Sequence, residues 1–206
     1  WPWPRQYHAT LIDRLDKAGA NTIAFDILFT EPSERGAQDR QMAKAMERHG
    51  NVVLPLHIYP SDDEQPLREF LPIAPLTMAA SALGHVHVEL DDDGIARGFY
   101  RREGLGEAVW PSLADAVFQQ NGQGSGPDST TAIPADAPFV NVRQNRVRIP
   151  FSGRAGRMPS VSYMDVLEGR VPAEKLQDKV VFVGITAAGF GDVLPTPVSG
   201  RNAPLS

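Results

Sequence analysis

Two histidines and one aspartate are the residues of this chain whose types could support metal-assisted hydrolysis. His85 and His87 stand two apart in a stretch that alternates polar and apolar residues, which would place both imidazoles on one face of a strand. Two such rings can share a metal ion, with Glu89 or a cross-strand residue as the third ligand. A metal-dependent hydrolase using His85, His87 and Asp26 is therefore one hypothesis. The alternative for the histidines is the solvent face of a hairpin, because the same alternation is typical of half-exposed strands.

A glycine-rich segment, residues 184–191, is the second candidate for chemistry. Its first two glycines have the spacing of a phosphate-binding P-loop. An aromatic residue and a glycine stand where that loop needs Lys and Ser or Thr, so nucleotide hydrolysis is excluded. Two interpretations remain. The segment is either a closely packed turn whose glycines supply positive φ, or it holds a small polar ligand through Thr186, Asp192 and backbone amides.

Asp26 is a carboxylate inside an otherwise apolar strand. Burying it without compensation is costly, so we expect it near the carboxyl end of the strand or beside a partner. It either accepts hydrogen bonds from the backbone of a neighbouring loop or contacts a ligand. Ligands of open α/β sheets bind outside the carboxyl ends of the strands. The predicted ligand site therefore combines Asp26, Glu31, Thr186 and Asp192.

The elements that must position these residues follow from hydrophobic periodicity and from turn residues. Helices and strands alternate through the first half of the chain, which predicts parallel pairing. An antiparallel hairpin follows, with a type I′ turn at Asp93–Gly94. The predicted fold is α/β, with a mostly parallel central sheet flanked by helices and an antiparallel hairpin portion. The predicted helices are 6–18, 38–48, 113–121 (capped by Ser112) and a short one within 162–169; the strands are 22–29, 51–56, 86–90, 95–100, 139–142, 146–150 and a fully buried 180–183.

Composition limits the possible functions. The chain has 206 residues, a net charge of −5 and no cysteine, which fits a single domain over residues 1–206. No global positive field favours nucleic acid, and the arginines at 143, 146 and 148 are predicted to be the exposed side of a hairpin. No apolar run is long enough to cross a bilayer. Residues 121–138 are interpreted as a flexible surface loop, and both ends of the sequence look truncated.

Several segments, in this order and spacing, resemble the CHASE2 family over essentially the whole chain. The segments are Trp1-Pro2-Trp3-Pro4-Arg5, Phe25–Phe29 with Glu31-Pro32, Asn51–Pro55, Leu83–Val86, Asp93–Arg97, Trp110–Ala114, Val161–Leu167, Gly184–Asp192 and Pro195–Gly200.

The resemblance implies a non-catalytic extracytoplasmic sensor module of a bacterial receptor. A transmembrane helix would precede it, and further helices and a cytoplasmic output domain would follow: a diguanylate cyclase or phosphodiesterase, an adenylate cyclase, or a kinase. We therefore expect a periplasmic domain, anchored to the inner membrane in the full-length protein. It would bind a small-molecule or protein signal without a cofactor, possess no catalytic residue and form a homodimer in some contexts. A purely structural dimerisation module is a further alternative.

Overall fold

The computed structural model describes residues 3–59, 68–106, 108–122, 141–153, 158–185 and 194–198. Thr186 and Asp192, and most of the predicted loop at 121–138, lie outside these ranges. The elements are α1 (Arg5–Lys17), β1 (Thr22–Asp26), α2 (Gly36–His49), β2 (Val52–Tyr59), β3 (Arg68–Phe70), α3 (Ala74–Ala79), β4 (Ala82–His85), β5 (Glu89–Leu90), β6 (Ala96–Leu105), β7 (Ala108–Pro111), α4 (Leu113–Gln120), β8 (Asn141–Arg148), α5 (Tyr163–Leu167), a 3₁₀ turn (Ala173–Lys175) and β9 (Val180–Gly184).

The first sheet is mostly parallel, which confirms the predicted fold class. Its parallel strands lie in the order β4-β2-β1-β9. The short strand β3 pairs antiparallel with the far end of β2, beyond the part that β4 occupies. At least one helix lies between each two parallel strands that follow one another along the chain, as parallel pairing normally needs.

Helices cover both faces of this sheet. On one face, α1 and α2 present apolar residues at helical spacing, including Ile12, Leu15 and Met46, against Ile23 and other fully buried strand residues. On the other face, Leu113, Ala116 and Val117 of α4 pack on Ala24 and Val53. Burial of each large aliphatic side chain contributes roughly 1.5–3 kcal/mol. The two faces together make a three-layer α/β/α arrangement.

The second sheet is antiparallel and centres on the long strand β6. Strand β8 pairs along nearly all of β6, while β5 and β7 follow one another along its other edge. The β5–β6 hairpin forms as predicted, but its turn is different. Gly94 donates to the carbonyl of Asp91 at 2.7 Å and alone has positive φ, +75°, whereas a type I′ turn needs positive φ at both central residues.

Four strand predictions need correction. The strand predicted at 22–29 ends earlier, since β1 ends at Asp26. Residues 86–90 are not one strand: β4 ends at His85, and β5 begins only at Glu89. The two short strands predicted at 139–142 and 146–150 are the single strand β8. Strand β9 is not fully buried, because it lies at the edge of the parallel sheet and α4 packs mainly on β4 and β2. Only its inward side chains reach the core, and Phe182 is 58% exposed.

Candidate functional site

Asp26 lies at the carboxyl edge of the parallel sheet, one of the two positions expected from the cost of burying a carboxylate. It is the last residue of β1 and is exposed, in contrast to the four buried residues before it. Gly184, the last residue of β9, is its register partner. A Cβ added to Gly184 would lie 3.8 Å from the Cβ of Asp26, so the backbone passes close to this carboxylate. The expected position of Asp26 is confirmed, and its ligand role stays a prediction.

Glu31 is an exposed residue of the loop that follows β1. Arg5, at the start of α1, donates to the backbone carbonyl of Glu31 at 3.0 Å and forms an ion pair with Asp39 of α2 at 3.3 Å. The Arg5 guanidinium also lies 4.5 Å above the ring of Phe29. Burial lowers the pKa of Arg5, and the Asp39 carboxylate opposes this effect. These contacts fix the loop of Glu31 against the first turn of α1.

The other two predicted ligand residues, Thr186 and Asp192, lie outside the described residues. The described chain leaves the parallel sheet at Ile185 and is described again over residues 194–198. There the carbonyl of Pro195 accepts a hydrogen bond from the amide of Ala96 at 2.8 Å, and Thr196 is buried. The two ends of the intervening segment therefore lie at β9 and at the start of β6.

A polar cluster lies where the two sheets meet, and we call it the junction: the buried residues His85, Glu103, Ser112 and Asp115, with the partly buried His87. The parallel bridge between His85 and Ser112 joins the end of β4 to the start of α4. The hydroxyl of Ser112 accepts from the amide of Asp115 at 3.1 Å, which caps α4 as predicted. The junction is therefore built by backbone contacts as well as by side chains.

Close backbone packing holds the junction together. A Cβ added to Gly84 would lie 2.5 Å from the Cα of Leu113, so only glycine fits at this position of β4. The residue after it, His85, is consequently carried directly against the first turn of α4. The close contact between the main chains of Gly84 and Leu113 therefore fixes the position of His85, and a larger residue at position 84 would prevent that contact.

His85 is buried, and the hypothesis that it lies on the solvent face of a hairpin is wrong. It is 1% exposed because residues 82–85 join the parallel sheet. Neither ring nitrogen has a hydrogen-bond partner of good geometry, although the Tyr100 backbone is near. Burial lowers the pKa of His85 to about 4, with His87 adding to this and the carboxylates of Glu103 and Asp115 opposing it.

Glu103 of β6 is the acidic centre of the junction. Its side chain is 1% exposed, and one carboxylate oxygen lies 2.7 Å from Nδ1 of His87. The other oxygen lies 3.5 Å from Nε of Arg143 on β8. Trp110 of β7 is the register partner of Glu103. The carboxylate is thus held between two strands and the segment that connects the sheets.

From Glu103, ion pairs of alternating sign lead to the surface. Only the Glu103 end of this chain is fully buried; the outer pairs are partly exposed, so each of them contributes little to stability. Arg143 and Arg146 of β8 are paired with these acids and do not form a separate basic patch. The pairs are Arg143–Glu89, Arg146–Glu89, Arg146–Asp91, Arg97–Asp91 and Arg97–Asp93, and Arg101 pairs separately with Asp115.

The geometry does not support the metal-dependent hydrolase. Among the described residues, which include Asp26, His85 and His87, no group of three or more His, Asp or Glu side chains could hold a metal ion. The histidines lie at the end of β4 and beyond it, whereas Asp26 lies at the end of β1 and faces Gly184. The three-residue cluster that this hypothesis requires is not formed.

A second buried histidine, His8, was not singled out by the sequence. Its ring packs in edge-to-face contact with Phe25 and Phe29, and Nδ1 lies 2.9 Å from the hydroxyl of Tyr163. Burial, with a smaller contribution from Arg5, lowers the pKa of His8 to about 4. Burial also raises the pKa of Tyr163. The helical spacing of His8 relative to Leu11, Ile12 and Leu15 is the signal that could have indicated an inward side chain.

The fold and junction define a mixed α/β domain whose polar groups tie two sheets together. Comparison with family models gives one match, the CHASE2 domain, over residues 1–206. The chain therefore belongs to the CHASE2 family, whose members are extracytoplasmic, non-catalytic sensory domains of receptors. Comparison with curated proteins and comparison with solved structures each give no significant match. In the described part of the chain, no helix has the length and hydropathy needed to span a membrane.

Proposed function

We propose that this chain is the sensory domain of a bacterial signalling receptor anchored in the inner membrane. It binds a small-molecule or protein signal in the periplasm and regulates a cytoplasmic output domain, most simply a diguanylate cyclase or phosphodiesterase, or an adenylate cyclase. The observation that carries the proposal is the family match over the full chain. Signal binding would shift an equilibrium between two arrangements of the domain, which flanking transmembrane helices would pass to the output domain.

The proposed signal site is the carboxyl edge of the parallel sheet, with Asp26, Glu31, Thr186 and Asp192 as its ligand-contacting residues. Two observations support it. Asp26 is an exposed carboxylate at this edge, beside the backbone of Gly184. The loop of Glu31 is fixed by Arg5, so its position is preorganised for binding. Two carboxylates in this region favour a ligand that is cationic or rich in hydrogen-bond donors.

A thermal-shift screen at pH 7.5 tests this site. The panel holds amino acids, polyamines, sugars and divalent cations. A ligand present at 100 times its dissociation constant adds about 2.7 kcal/mol to the free energy of unfolding. Asp26→Asn should abolish the shift, whereas Asp92→Asn, which alters an exposed acid in the β5–β6 turn, should preserve it. A ligand whose affinity is unchanged by Asp26→Ala and by Asp192→Ala would show that the site is elsewhere.

One observation favours a second candidate function, a dimerisation module. Phe182 and Val180 of the edge strand β9 are 58% and 39% exposed, and β9 carries no charged residue. Apolar edge strands of this kind tend to pair with another chain. Light scattering of the 206-residue chain tests the candidate. A dimer that Phe182→Asp converts to monomer would support it, and a monomer at every accessible concentration would contradict it.

A further inference from the structure

We infer that the junction is a proton-binding site, in which protonation of His85 loosens the contact between the parallel and the antiparallel sheet. The ligand is the proton itself. The junction lies at the carboxyl end of β4, two strands away from the Asp26 end of β1 that belongs to the proposed signal site. Its use as a sensory input rests on the proposed function. Its existence as a proton site does not.

The surroundings of His85 make the closed junction suitable only for the neutral imidazole. The ring is 1% exposed, and both nitrogens lack a hydrogen-bond partner of good geometry. An imidazolium has two N–H donors, and the nearby Tyr100 backbone can serve only one of them. Burying such a charge with an unsatisfied donor is costly. A proton is therefore accommodated only if the ring gains water or a further acceptor. The ring cannot move into water while the backbone of Gly84 is packed on Leu113, because β4 then holds His85 against α4.

The charged and titratable groups around His85 come from β6, α4, β8 and the connecting segment, and they do not hold a proton on His85 in the closed arrangement. Glu103 of β6 is already engaged with His87 of the connecting segment at 2.7 Å. Asp115 of α4 is engaged with Arg101 of β6 at 2.6 Å. Arg143 of β8 adds a positive charge beside Glu103. The carboxylates of Glu103 and Asp115 raise the pKa of His85, but each already has another partner, and burial of the ring outweighs them.

The size of the response follows from proton linkage. The closed junction lowers the pKa of His85 to about 4, whereas a solvated histidine titrates near its ordinary value of about 6.5. An open arrangement that solvates His85 therefore gains protons in mild acid that the closed one does not. Between neutral pH and pH 5, this difference shifts the open-to-closed ratio by about 30-fold in favour of the open arrangement.

Amide hydrogen exchange of the unmutated 206-residue chain tests the inference at pH 7.5 and pH 5, after correction for intrinsic exchange rates. Two reporter amides flank the junction, one on each sheet: Val86 donates to Leu56 at 3.2 Å, and Ser112 donates to Arg101 at 2.8 Å. The control amide is Ile23, which donates to Asn51 at 3.1 Å at the opposite end of the sheet. We expect protection at the reporters to fall by up to 30-fold while protection at Ile23 changes much less.

Two variants assign the effect to His85. In His85→Gln the pH-dependent loss at the reporters should disappear, and in His8→Gln, where the other low-pKa histidine is removed, it should persist. Equal losses at reporters and control would mean global acid unfolding and would overturn the inference, as would unchanged protection at all three amides. If His85→Gln does not fold, NMR titration of the His85 ring in the unmutated chain decides. A titration that coincides with the loss at Val86 and Ser112 supports the inference, and a ring that titrates independently of that loss overturns it. Because the thermal-shift screen is run at pH 7.5, failure here leaves the proposed signal site unaffected.

Discussion

Acid should destabilise this domain through His8, and the effect can be calculated from its environment. The pKa of His8 in the folded chain is about 4, while that of an unfolded histidine is about 6.5. Because the folded-state value is the lower one, the unfolded chain binds more protons in mild acid. The free energy of unfolding is therefore insensitive to His8 above pH 6.5 and falls as the pH drops from about 6.5 to about 4. The total loss from His8 is about 3 kcal/mol.

His8→Phe removes this titration and keeps an aromatic ring against Phe25 and Phe29. The variant loses the hydrogen bond with Tyr163, which costs about 1 kcal/mol at neutral pH. Urea unfolding of His8→Phe and of the unmutated chain at pH 7.5, 6.5, 5.5 and 4.5 measures their free energies of unfolding. We expect the decline in unfolding free energy between pH 6.5 and pH 4.5 to be smaller in His8→Phe by about 2–3 kcal/mol.

Tyr163→Phe is the matched control, because it removes the same hydrogen bond and leaves the titrating ring. It should lower stability at neutral pH and retain the acid-dependent decline. The reasoning would be refuted if His8→Phe and the unmutated chain declined equally, or if either grew more stable as the pH fell. His85, with the same lowered pKa, contributes a similar amount. Together the two histidines remove, in acid, a large part of the free energy of unfolding of a typical domain, which is about 5–15 kcal/mol.

The remaining predictions concern packing and charge at the junction. Gly84→Ala places a methyl group 2.5 Å from the Cα of Leu113 and should cost about 3 kcal/mol or more in thermal unfolding, whereas Gly94→Ala, in open space with φ +75°, should cost only about 1 kcal/mol. Equal losses of stability in Gly84→Ala and Gly94→Ala would mean that the backbone at the junction can shift to make room for the methyl group. Glu103→Gln leaves His87 and Arg143 without their buried anion and should cost about 3–5 kcal/mol in urea unfolding, while Asp92→Asn should be neutral. A neutral Glu103→Gln would show that the anion is not needed.

The parallel half of the fold could be predicted from sequence because local patterns and tertiary packing agree there. Helical spacing indicated α1 and α2, and the glycines that end them, Gly19 and Gly50, adopt the positive φ expected of C-terminal caps. The Ser112 cap of α4 was predictable for the same reason, since its hydrogen bond is made within four residues. These features depend on short-range chemistry, which a sequence displays directly.

The junction could not be predicted because its partners are distant in sequence. The alternation over 85–90 is compatible with a hairpin, and only the pairing of β4 with β2 decides that His85 is buried. Glu103 follows two arginines and looks like a surface residue until β7 and β8 are placed beside it. The exposure of Phe182 likewise depends on the strand order, which an apolar run of this length does not specify.

The output of the full-length receptor in native membranes tests the central claim most directly. The measurement is nucleotide production with and without a ligand that shifts the melting temperature of this domain, in receptors carrying Asp26→Asn or Asp92→Asn. A sensory domain with its site at the carboxyl edge predicts that the ligand changes output in the unmutated and Asp92→Asn receptors and not in Asp26→Asn, with basal output retained in all three. A receptor whose output ignores a bound ligand, or responds fully in Asp26→Asn, would contradict the account.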